Sequence, residues 1–148
     1  MSYHTWSTDG FGFCVDDITT TPEKVLKLAA LNETTLRDLR EYLDAVYEDG
    51  YKDEELTMDD FDDFEGMYCD RGLAVILREV IEQEIDVVLA DDFDGVDFIL
   101  YCPSYPWNLK ERERNLTPED VEKILMKYIK ILTDEPIDID YYSVENGG

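Results

Sequence analysis

Positive charge is scarce in this chain. Seven Lys and six Arg stand against 21 Asp and 16 Glu, for a formal net charge of −24 over 148 residues. Like charge repels, so direct binding of nucleic acid or of an anionic membrane is excluded, whereas cations and basic protein surfaces are favoured. Histidine is nearly absent too: His4 stands alone. One His cannot build a two-His metal motif within the chain, and no Cys–His nucleophile pair is suggested. The three cysteines, Cys14, Cys69 and Cys102, are odd in number and far apart. Neither a disulfide framework nor a zinc site follows from that spacing; free thiols in a reducing cytoplasm are expected.

Long apolar runs are also missing. The longest, Gly72–Leu77, Val87–Ala90 and Phe98–Cys102, fall far short of the ~20 residues that cross a bilayer. Met1–Asp9 has neither the basic flank nor the apolar stretch of a secretion signal, so a cytoplasmic location is expected. No glycine-rich phosphate loop occurs: Gly10-Phe11-Gly12 lacks a third glycine and leads into no helix. No cofactor is expected. No linker rich in Gly, Pro or Ser divides the chain, which reads as one domain over residues 1–148.

What is present is enough to fold. Apolar residues make up 44% and aromatics 12%, too many for a disordered acidic tail. Seven lysines and many large apolar side chains also fit poorly with a surface adapted to concentrated salt.

Local patterns give an element order. Asp9-Gly10 between residues 3–8 and 11–15 predicts an N-terminal hairpin. Thr21-Pro22-Glu23 predicts a helix start, and Val25, Leu26, Leu28, Ala29 and Leu31 supply its buried side. Asn32 is expected to cap a second helix, with Leu36, Leu39, Leu43, Val46 and Tyr47 at helical spacing and Gly50 as its stop. Thr57 predicts a third start, with Met58, Phe61, Phe64, Met67 and Tyr68 along one side. Leu73–Gln83 reads as a more apolar helix. Residues 87–90 and 96–102 read as two strands turning at Asp94-Gly95, apolar on both faces and so expected inside the sheet. Thr117-Pro118 opens the most regular helix, with Val121, Ile124, Leu125, Tyr128, Ile129 and Leu132 in register. Pro136 stops it, and the alternation in residues 137–142 predicts a last strand. The fold class is therefore α+β, in the order ββ-ααα(α)-ββ-α-β, with an antiparallel or mixed sheet packed against helices.

The charge is polarised. Residues 1–105 carry net −20 and residues 106–148 net −4. Between Asp38 and Asp70, 14 acids face Arg40 and Lys52. If helical throughout, this stretch would span roughly 50 Å, or one net charge per ~4 Å, close to the ~3.4 Å of a single DNA strand. Gly50 and Gly66 are expected to break such a helix. The residues picked out for partner binding are Asp44, Glu48, Asp49, Asp53, Glu54, Glu55, Asp59, Asp60, Asp62 and Asp63.

Three readings follow. The first is a non-enzymatic acidic regulator or inhibitor of a basic protein surface, or more narrowly a nucleic-acid mimic facing a nucleic-acid-binding protein. The second is a divalent-cation-binding protein or metal-dependent enzyme using clustered carboxylates. The third is a generic globular domain with a solvated acidic surface. No catalytic residue and no specific metal ligand is assigned. Aligning Asp91–Gly95 with a calcium loop puts Ala90 and Tyr101 where acids belong, so a hairpin turn explains it better. Residues 101–107, rich in Tyr, Pro and Trp, read as a rigid loop capping the core or as an interface anchor.

Overall fold

Apolar spacing marks the four α-helices of the computed structural model, which describes residues 5–65, 71–92, 94–102, 113 and 115–147; start signals precede three of them, at Thr21, Asn32 and Thr117, while the one over residues 73–81 follows Gly72 without a side-chain cap. Helix α1 is Pro22–Ala29, α2 Glu33–Val46, α3 Leu73–Ile81 and α4 Pro118–Leu132. The strands are β1 Thr5–Cys14, β2 Val88–Asp91, β3 Asp97–Tyr101 and β4 Asp140–Gly147. They form one antiparallel sheet in the order β2-β3-β1-β4. The fold class is α+β.

The caps behave as their chemistry dictates. Asn32 accepts hydrogen bonds from the backbone N–H of Thr34 and Thr35 at 3.1 and 3.3 Å. Thr117 accepts from the Asp120 N–H at 3.2 Å while Asp120 accepts from the Thr117 N–H at 3.0 Å, a closed reciprocal pair. Pro22 and Pro118 each occupy the first helical position, where a missing N–H costs nothing.

One face of the sheet meets the helices. Phe13, Ile99 and Tyr101 join Leu28, Leu39, Leu77, Leu125 and Ile129 in the main core. Helix α3 lies on β2 and β3, α4 lies on β1, and α1 packs on α2, α3 and α4. Helix α2 has its principal contacts with α1 and α3, so it forms an outer layer. The opposite face carries a smaller cluster of Ala90, Leu100 and Val144, flanked by Phe98, Cys102 and Tyr142.

Three expectations are corrected. Asp9-Gly10 does not turn: β1 runs straight through it as an inner strand, so the expected first ββ unit is one strand. Glycine is needed there for another reason. A Cβ on Gly12 would lie 1.8 Å from the Ile99 carbonyl oxygen, and one on Gly10 2.6 Å from Cys102 Sγ. The rings of Phe98 and Tyr142, from the strands on either side, meet at 5.3 Å over the bare strip these glycines leave.

Secondly, the helix expected from Thr57 is a single 3-10 turn, Met58–Phe61. Its start is right, because the Asp60 carboxylate accepts from the Thr57 backbone N–H at 2.7 Å. Asp is a poor helix former, and the four among residues 59–63 do not sustain a longer one. Met67 and Tyr68 lie outside the described residues, as do His4, Cys69 and the aromatic loop beyond Cys102. Thirdly, β2 is an edge strand; α3 packs on it and Ala90 joins the smaller cluster, while Val88 stays 41% exposed. The β2–β3 hairpin itself is as expected, with Gly95 at φ +79°.

Candidate functional site

The acidic run is built around α2. Thr35, Leu39 and Leu43 turn inward, leaving Glu41 and Asp44 exposed on the outer side. The chain leaves the helix at Tyr47, turns at Gly50 with φ +85°, and doubles back along α2. The 50 Å helical rod does not form.

Three polar ties hold the returning segment. The Arg40 guanidinium grips both Asp53 carboxylate oxygens at 2.6 and 3.1 Å and donates to the Tyr51 hydroxyl at 3.2 Å. That bond holds the Asp53 carboxyl below the usual carboxylate range and Arg40 more firmly charged. Asp60 is held by the Thr57 backbone N–H at 2.7 Å and the Tyr47 hydroxyl at 2.6 Å. These donors lower its pKa, chiefly through Thr57, and the same bond raises that of Tyr47. Arg71 reaches Glu65 at 2.9 Å and Asp63 at 3.9 Å. Edge-on packing of Tyr42 against Phe64, 5.7 Å between centroids, closes the far side.

The ten residues picked out from the sequence therefore divide. Asp53, Asp60 and Asp63 are engaged by Arg40, by Thr57 and Tyr47, and by Arg71. Glu55 accepts from the Lys52 N–H at 3.5 Å, closing a short turn. The other six, Asp44, Glu48, Asp49, Glu54, Asp59 and Asp62, are exposed and make no ion pair among the described residues. Asp44, Glu48 and Asp49 gather at the C-terminal end of α2, whose last turn has no basic residue. Partial negative charge already collects there, so each added carboxylate is unfavourable by about 0.3–1 kcal/mol at low salt.

The structure also brings Asp63 together with residues the sequence reading did not select. Asp38, Glu41 and Tyr42 on α2 face Asp63, Phe64 and Glu65 across an open groove of about 460 Å³. Burial first, then the charges of Asp63 and Asp60, push the Tyr42 phenol up. The spacing of Asp38 and Glu41, one helical turn apart, is the local signal for their shared edge. Their approach to Asp63 and Glu65 depends on the chain's reversal after Gly50, which no local spacing reveals.

The geometry suits attraction of cationic groups more than coordination of one ion. Among the described residues, no three His, Cys, Asp or Glu side chains are grouped to hold a metal. In the β2–β3 turn, Asp92 accepts from the backbone N–H of Asp94 and Val96 at 2.9 and 3.0 Å, and so serves its own loop. No protein-family model, no curated protein and no solved structure matches the chain.

Proposed function

We propose that the chain is a non-enzymatic regulator or inhibitor that docks a basic protein surface onto the C-terminal end of α2 and the turns behind it. One observation carries the reading: six exposed carboxylates there lack a cationic partner among the described residues, three of them at the negative end of a helix. Placing Lys or Arg side chains beside them would relieve a repulsion the folded chain otherwise bears. The groove between α2 and residues 63–65 extends the same negative surface. The partner chemistry is a Lys- and Arg-rich face, of the kind that also binds nucleic acid phosphates. No helix among the described residues is long and apolar enough to cross a membrane, and the action proposed is in the cytoplasm, where Cys14 and Cys102 stay as thiols.

The test compares two neutralised baits. One carries Asn or Gln in place of Asp44, Glu48, Asp49, Asp59 and Asp62. The other carries them in place of Glu119, Glu122, Asp134, Glu135 and Asp138, five exposed acids of the C-terminal part. A basic protein retained by wild type and by the second bait, lost by the first, and released near ~1 M salt, where screening acts within about 3 Å, supports the reading. Equal loss by both baits reduces the attraction to bulk charge and overturns it. Displacement of that partner by duplex DNA marks it as a nucleic-acid-binding protein.

A further inference from the structure

A second concavity, independent of the acidic surface, lies where α4 begins. Phe11 of β1 is opposite both Tyr101 of β3 and Tyr141 of β4. The three aromatics thus form one rung across three adjacent strands, on the face that meets the helices, since Phe11 and Tyr101 pack into the main core. Two residues back along β1, and so on the same face, is Asp9. Leu116, Pro118 and Val121 from the start of α4 roof this floor, enclosing about 350 Å³. That volume is within the range of small-ligand sites, on the order of 300–1,000 Å³.

The lining has a definite chemistry. The Phe11 and Tyr141 rings are 5.0 Å apart and inclined at 55°, opening a V. Tyr141 is 69% exposed, so its ring is accessible from solvent. Among the described lining residues, Asp9 carries the one formal charge. The positive end of α4 does not counter this. Thr117 takes up the Asp120 N–H, and the Asp120 and Glu119 carboxylates add negative charge at that end.

We propose that this pocket binds an alkylammonium group. The π faces of Phe11, Tyr101 and Tyr141 would receive the N-alkyl cation, and Asp9 at the rim would supply the counter-charge. Aromatic rings attract cations through their quadrupole, and weakly hydrated alkylammonium ions lose least on entering such a lining. A small anion would meet only ring faces and a carboxylate.

The experiment is an NMR titration of the whole chain in ~0.15 M salt with three probes: choline, its neutral carbon isostere 3,3-dimethylbutan-1-ol, and acetyl-Nε-trimethyllysine amide. Choline should give saturable shifts at the Gly10, Phe11, Val121 and Tyr141 amides, and the neutral isostere should bind about tenfold more weakly. Tyr141→Ala, at an exposed position, should weaken choline about tenfold, and Asp9→Asn severalfold. Tyr141→Phe should retain binding, which separates ring-face recognition from a hydroxyl contact. Tighter binding of the lysine derivative assigns the source to a side chain of another protein, and tighter binding of choline to a small molecule. Equal binding of the neutral isostere, shifts that never saturate, or affinity untouched by Tyr141→Ala overturns the proposal. None of these outcomes depends on the carboxylates of α2.

Discussion

Helices α2 and α4 are nearly equal in length, 14 and 15 residues, and both are capped by a side-chain oxygen and anchored by fully buried leucines. They differ at their far ends. Helix α4 places Glu119 and Asp120 in its first turn and Lys130 in its last, each favourable to the helix dipole. Helix α2 opens well with Glu33 but finishes with Asp44, followed by Glu48 and Asp49, against the dipole. One helix is charged for its own stability. The other tolerates a local conflict that its packing offsets, and a conflict tolerated on an exposed surface is where an external partner gains most.

The largest effects should show that packing is not what separates the two. Leu43→Ala and Leu125→Ala each remove a fully buried side chain and should each cost about 2–5 kcal/mol in chemical denaturation. A much smaller loss at Leu43 would mean that α2 is loosely attached, and would break the comparison. Next come the caps. Asn32→Ala and Thr117→Ala should each cost about 1 kcal/mol, with Asn32 at the higher end because its amide also donates to the Glu79 carbonyl at 3.3 Å.

Charge reversal sharpens the contrast directly. Asp44→Lys should stabilise, and Lys130→Glu destabilise, by about 0.3–1 kcal/mol at low salt, and both effects should fade in ~1 M salt. Asp44→Lys should at the same time weaken capture of a basic partner. Gains in stability and losses in binding at one residue are the signature of a surface kept for recognition. The smallest effect concerns acid. Asp60 is depressed below its unfolded pKa, so its contribution is present above pH ~4 and is lost as pH falls through the lower folded value. Asp60→Asn should flatten that part of the acid unfolding curve.

Helix starts were legible because capping is local: Asn32, Thr57 and Thr117 announce themselves within three residues. Glycine was not, because one residue answers two needs. In Asp94-Gly95 it supplies positive φ with open space around it; in Asp9-Gly10 it supplies the absence of a Cβ where β3 comes close. Identical dipeptides cannot tell these apart. Edge or interior position for β2 was hidden likewise, since an apolar face looks the same whether a strand or a helix covers it. At the surface, acid content could be read directly. Which carboxylates are engaged could not, because Arg40 meets Asp53 and Arg71 meets Asp63 only after the chain has turned back on itself.

Strand β1 sits between β3 and β4, and its eight paired positions with β4 join residues 5–12 to residues 140–147. On a ribosome, therefore, β1 must wait for β4 before the sheet can close, while four helices emerge in between. Closing so long a loop is entropically slow. The helical block is expected to collapse first and hold a place for the sheet, and emergence of β4 sets the earliest moment at which the native topology can exist.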